Sequence, residues 1–138
     1  MTGIAERPST AQRTLNTAQL TSRQRASLRS HLAGDLEKTR RLVEQLGAEM
    51  DSFTASRRDA PTDDEHDPEG PTLAFERSQS SAILAQSVQH IADIDAALLR
   101  MDEGTYGLCK TCGGSIAVGR LQVRPQAPLC ISCAGKLR

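Results

Sequence analysis

Tryptophan is absent from this chain of 138 residues, and only one tyrosine and two phenylalanines are present. Aromatic side chains bring the largest buried areas, so a large globular core is excluded. No apolar run approaches the ~18 residues that a membrane-spanning helix needs. The N-terminus lacks the apolar stretch of a secretory signal, which predicts a cytoplasmic protein with no membrane partner. Enzyme signatures are missing as well. There is no glycine-rich phosphate loop, no nucleophile elbow and no His–carboxylate–Ser set at a recognisable spacing, so catalysis is not expected.

Cysteine is confined to four positions, Cys109, Cys112, Cys130 and Cys133. They form two Cys-x2-Cys pairs separated by 17 cysteine-free residues. Each pair is a knuckle that presents two thiolates to one cation, and a loop of this length carries the second pair to the other two corners of a tetrahedron. The reading is one structural Zn²⁺, with no open position for a catalytic water. Iron uses the same ligand set and stays open as an alternative. Two disulfides would suit a secreted chain, and a redox Cys-x2-Cys would need a βαβ context that the pattern does not offer. A module this small cannot bury enough apolar surface alone, and the metal is expected to supply the missing stability.

Net charge is zero, but the charges are sorted along the chain. The first 58 residues carry ten basic and six acidic side chains. Residues 59–70 hold Asp59, Asp63, Asp64, Glu65, Asp67 and Glu69 with no Lys or Arg. Residues 109–138 hold Lys110, Arg120, Arg124, Lys136 and Arg138 with no acid. Four thiolates and one Zn²⁺ contribute −2 against this +5, so the cysteine segment stays positive when loaded. Such sorting concerns association and orientation rather than fold.

The pattern predicts a mainly α architecture. Residues 1–20, rich in Thr, Ser, Ala and Gln, read as a flexible arm. Thr21 and Gln24 have the spacing of a capping box. A helix is expected from there to about Arg58, with Leu28, Leu32, Leu36, Val43, Leu46, Met50 and Phe53 as a stripe at coiled-coil steps. Pro61, Pro68 and Gly70 mark 59–70 as a turn, and Pro71 suits the first turn of a second helix. That helix is expected to reach Met101, with Leu73, Ile83, Leu84, Val88, Ile91, Ile94, Leu98 and Met101 inward. The domain plan is therefore an arm (1–20), a long antiparallel coiled-coil hairpin (21–103) with an acidic tip (59–70), and a four-cysteine finger (104–138). Within the finger, Ile116, Val118, Leu121 and Val123 suggest short strands, and Cys130 opens a short terminal helix. Tyr106 is expected to anchor the finger to the helices, being the single tyrosine of the chain. His31 and His90 have no clustered ligand partners in sequence and are assigned no function, while His66, a lone histidine in a polar loop, reads as a solvent-exposed turn residue.

Residues 104–133, GTYGLCKTCGGSIAVGRLQVRPQAPLCISC, resemble the DksA/TraR family of bacterial transcription regulators. The shared features are Gly-x-Tyr-Gly before the first pair, Ile116, Arg120-Leu121, Arg124-Pro125 and Leu129 before the second pair. The likeness extends more weakly through Phe75-Glu76-Arg77 towards the tip. It implies a regulator that binds RNA polymerase rather than a specific DNA sequence. In such proteins the coiled coil enters the secondary channel and the acidic tip approaches the catalytic centre. Asp64, Asp67 and Glu69 are the tip candidates, but the family's Asp-x-x-Asp-x-Ala pattern fits only in part: started at Asp64 it has Glu69 in place of Ala, and started at Asp67 it has Gly70 in place of the second Asp. Arg120 and Arg124 are candidates for contacts between the finger and the polymerase, or for packing over the knuckles. Some members respond to ppGpp through a basic site. Arg124 matches one of its positions, but Asp93 and Ala134 stand where the prototype has Lys, which argues against strong ppGpp binding. A monomer is expected. Two other classes remain: a nucleic-acid-binding zinc ribbon, favoured by the five basic residues of the finger, and a structural coiled-coil adaptor with zinc as a staple.

Overall fold

The computed structural model describes residues 20–59 and 70–137. Among these, two long helices, α1 (Ser22–Asp59) and α2 (Gly70–Glu103), precede two short ones, α3 (Val118–Val123) and α4 (Ile131–Lys136). The chain divides into two compact units, one of residues up to Gly34 together with Asp93 onwards, the other Asp35–Ala92.

The first long helix starts where a reciprocal pair of side-chain bonds satisfies its free amides. The Gln24 backbone N–H donates to Thr21 Oγ1 at 3.0 Å, and the Thr21 N–H donates to Gln24 Oε1 at 3.0 Å. This is the expected capping box. Leu20, immediately before the cap, is buried, so it belongs to the core of the first unit and not to a flexible arm. Residues 1–19 lie outside the described residues. The second long helix ends at Glu103, where the Arg100 carbonyl accepts from both Thr105 N–H (2.9 Å) and Tyr106 N–H (3.2 Å).

In the unit Asp35–Ala92, the segments of α1 and α2 pair as antiparallel helices. The α1 seam runs through Thr39, Val43, Leu46, Met50 and Phe53, all buried or half-buried. The α2 seam differs from the expected stripe. Its inward positions recur at strict steps of four and three through Leu73, Arg77, Ser80, Leu84, Ser87 and Ile91. Ile83 and Val88 are instead 41% and 53% exposed. The heptad selects positions, and serines at two of them pack as small residues; Ser87 is 8% exposed. Several polar groups of this seam engage one another. His90 Nε2 lies 2.8 Å from Asp35 Oδ2, and the Thr39 hydroxyl donates to the Asp35 carbonyl at 2.7 Å. The Arg77 guanidinium sits 4.4 Å from the centre of the Phe53 ring. The His90–Asp35 contact joins the two helices of this unit, and a shift of their pairing by one turn would leave it unmatched.

In the other unit, Leu28 and Leu32 of α1 and Ile94, Ala97 and Met101 of α2 are buried. The finger contributes Tyr106, Ile116, Leu121 and Ala127 to the same core. Arg29 pairs with Asp102 at 2.8 Å on the surface of this unit, where solvent leaves such a pair little stabilising effect. The expected strands of the finger are not formed. Residues 118–123 are a helix, in which the Leu121 N–H donates to the Ala117 carbonyl and the Arg124 N–H to the Arg120 carbonyl. The apolar residues 116, 118, 121 and 123 break period two between 118 and 121, and only Leu121 is fully buried in the helix. A single isolated bridge, Leu108 to Ser115, is the extent of β pairing among the described residues.

Candidate metal centre and partner surfaces

Local backbone chemistry builds the first knuckle. The Cys109 N–H donates to the Gly114 carbonyl at 2.7 Å, and the Gly113 N–H donates back to the Cys109 carbonyl at 3.0 Å. Closing the chain this tightly needs a residue at positive φ, and Gly113 supplies it at 72°. The turn leading into the knuckle needs another, Gly107 at φ 90°. A Cβ at Gly107 would also meet the Leu20 Cδ1 at 3.4 Å, so the buried Leu20 and the glycine define one another's space.

The second knuckle begins at the cap of α4. Cys130 is extended, with φ −67° and ψ 164°, and Cys133 lies in the first turn of the helix. Two bonds hold the knuckles to their surroundings. The Lys110 N–H donates to the Pro128 carbonyl at 2.9 Å, and Arg120 Nε donates to the Leu129 carbonyl at 3.0 Å. Arg120 therefore braces the chain just before Cys130, while Arg124 is exposed.

The four sulfurs converge. All lie within 4.8 Å of one another, and none is disulfide-bonded. The Cys112 and Cys130 sulfurs are 3.8 Å apart. A tetrahedron with Zn–S bonds of about 2.3 Å has edges of about 3.8 Å, so the site fits the ion. The Gly114 N–H points at Cys112 Sγ at 3.4 Å, a donor suited to a thiolate. Burial works against ionisation of Cys109, but backbone amides of Cys112, Cys130 and Thr111 draw its pKa down to about 6. Hydrogen bonding from Cys130 pushes Cys133 up to about 12. Four thiols this close cannot all ionise without a cation among them, because like charges disfavour each other's formation. The donor set is soft, closed and tetrahedral, which makes the centre structural.

Tyr106 couples the finger to the helices, as its scarcity suggested. It is 3% exposed, and its hydroxyl donates to the Pro125 carbonyl at 2.7 Å. Arg100 Nη2 reaches the neighbouring Gln126 carbonyl at 3.4 Å. Burial raises the Tyr106 pKa to about 12, with the nearby Arg100 charge opposing the shift. Unfolded tyrosine ionises near pH 10. Between these values the unfolded chain has lost a proton that the folded chain keeps, so stability falls as pH rises. The finger is expected to lose stability from about pH 10 to about pH 12, measured by denaturant midpoints across that range. Tyr106→Phe is expected to flatten this slope, and to cost about 0.5–1.5 kcal/mol at neutral pH from the lost hydrogen bond.

The tip candidates Asp64, Asp67 and Glu69, and His66 with them, lie outside the described residues. The Asp35–His90 contact was not legible in sequence, since 55 residues separate the partners. No helix among the described residues is long and apolar enough to cross a membrane.

Comparisons with known proteins agree with this geometry. Residues 104–137 match the model of the prokaryotic dksA/traR C4-type zinc finger. The RNA polymerase-binding transcription factor DksA of Escherichia coli is 40% identical over 43 residues, 31% of this chain and 28% of that protein. Its counterpart in Haemophilus influenzae is 45% identical over 40 residues, 29% of this chain and 28% of the relative. The protein YteA of Bacillus subtilis is 29% identical over 105 residues, 70% of this chain and 44% of its own length. The matches thus span less than half of each of these relatives. The solved structure of transcription factor DksA2 from Pseudomonas aeruginosa superposes with a TM-score of 0.67 at 23% identity, covering 90% of this chain and 94% of that one. At that identity the likeness concerns the fold.

Proposed function

We propose that this chain binds RNA polymerase through the secondary channel and modulates transcription initiation, a reading supported by the match of residues 104–137 to the prokaryotic dksA/traR C4-type zinc finger. The observation that carries this reading is the pairing of two features. A closed four-thiolate finger matches proteins named as RNA polymerase-binding factors, and it follows two helices of 38 and 34 residues. The segment joining those helices carries Asp64, Asp67 and Glu69, whose charge suits a channel leading to Mg²⁺ and basic side chains. In this reading the tip acts at the catalytic centre and the basic finger meets acidic polymerase surface. The protein acts as a cytoplasmic, monomeric, non-enzymatic regulator that does not read DNA sequence. Asp93 and Ala134, standing where the family prototype has Lys, count against strong ppGpp binding.

The test combines binding and initiation assays on purified RNA polymerase with the wild type and the Asp64→Ala/Asp67→Ala variant. Binding by both, with the effect on initiation lost in the variant, is the expected result. Absence of wild-type binding would overturn the polymerase assignment. Binding without any effect of the wild type on initiation would favour a structural adaptor.

A further inference from the structure

Three features of the unit Asp35–Ala92 converge at one level of the hairpin, and none of them serves the pairing of its helices. The first is Gly47, in the interior of α1. Its φ is not positive, and a Cβ built there would meet nothing within 4 Å. Neither backbone conformation nor packing asks for glycine, yet glycine makes a turn of helix open about fivefold more readily than Ala does. The second is a run of serines in α2. Ser78, Ser80 and Ser81 stand within four residues, and serine hydroxyls compete with helical bonds for backbone groups. The third is a cleft of about 160 Å³ between the helices. Met50, one turn beyond Gly47, and Ser80 both line it, together with Phe53, Leu73 and Arg77. Ser80 holds an inward position of the α2 seam, so a small polar side chain stands where the heptad asks for a large apolar one. Atoms that line a void lack partners on one side, and the pairing is weakest there.

The helices are tied across on both sides of this level. On one side His90 Nε2 meets Asp35 Oδ2 at 2.8 Å, and Thr39 and Ser87 are buried. On the other the Arg77 guanidinium lies 4.4 Å from the centre of the Phe53 ring. A weak turn in one helix is splinted by a sound partner, but here weak turns face each other. We infer that this level is a joint, at which the turns of both helices open together and the hairpin bends. The far end, residues 50–59 and 70–77, then swings as one piece. The joint does not depend on the polymerase reading; in that reading it lets the far end of the hairpin adjust within the channel.

The test is amide hydrogen exchange of the zinc-loaded full-length protein, read residue by residue by NMR, for the wild type and three variants. In the wild type, amides 48–51 and 79–83 are expected to exchange about tenfold or more faster than amides 40–45 and 85–90. Gly47→Ala is expected to slow exchange about fivefold in its own helix and also across the seam at 79–83. Ser80→Leu, which fills the cleft, is expected to slow both sides of the joint as well. Gly34→Ala, the same change at another α1 position where a Cβ meets nothing, is expected to leave 79–83 unaltered. A Gly47→Ala effect confined to α1 would overturn the joint, because helix propensity alone acts within one helix. Protection that falls steadily from residues 40 and 90 towards 59 and 70 would overturn it too, since that is ordinary fraying of helix ends. All of these readings are made without polymerase, so a failure of polymerase binding would count against the proposed function and not against the joint.

Discussion

Stripping the metal with a chelator, or replacing Cys109 with Ser, is expected to unfold residues 104–137. Zinc content should fall from about one ion per chain to near zero in the variant, in line with one closed four-thiolate site. The ion contributes on the order of 10 kcal/mol in apparent terms to small modules of this kind. Little else here can replace it. The finger's own fully buried side chain is Leu121, and its β pairing is one bridge. Cys109 is the sharper target than Cys112, being buried where Cys112 is exposed, and its backbone closes the first knuckle. The chain provides its own reporter. Tyr106 is its single tyrosine and bonds to Pro125 inside the finger, so tyrosine fluorescence follows this unit alone. Far-ultraviolet circular dichroism should retain most of its helical signal, since residues 35–92 bury a seam of their own. A Cys109→Ser protein that kept its metal and its tyrosine signal would refute the ligand assignment.

Leu32→Ala and Ile94→Ala are each expected to destabilise the protein by about 2–5 kcal/mol, read from urea midpoints. Both side chains are completely buried in the unit that contains the finger, so truncation leaves a cavity in addition to the lost burial. The informative control is Val88→Ala. Sequence pattern places Val88 in the core, but it is 53% exposed, and the change is expected to stay within about 0.5 kcal/mol. A large loss at Val88 with a small one at Ile94 would mean that α2 presents a different face to α1.

That contrast shows where sequence reasoning works and where it stops. Capping chemistry is local, so Thr21 and Gln24 announced the start of α1 to within one residue. The ligand set was equally local, because Cys-x2-Cys spacing needs only a knuckle to become a pair of corners. The face of α2 was not local. A leucine, isoleucine or valine can be chosen for the stripe only by guessing which of several near-periodic sets faces the partner. Ile83 and Val88 fit the stripe by hydrophobicity yet stand largely exposed, while the polar Ser80 and Ser87 hold inward positions. The strands expected over 116–123 failed for a related reason. Apolar content suggested pairing, but a run that loses period two has no second strand to face, and a turn of helix satisfies its amides instead.

By itself, then, the sequence determined the metal centre, the two helices and their ends, and the sorting of charge along the chain. These depend on residue identity and spacing within a few turns. Tertiary structure decided which side chains of α2 are core, that Leu20 is buried rather than part of an arm, and that Asp35 meets His90 across 55 residues. It also decided that Arg120 holds the backbone before Cys130 while Val123 and Ile131 stand out in solvent. Each of these is a relation between segments distant in sequence. Burial and hydrogen bonding across such distances are set by how surfaces meet, and no single segment encodes both sides.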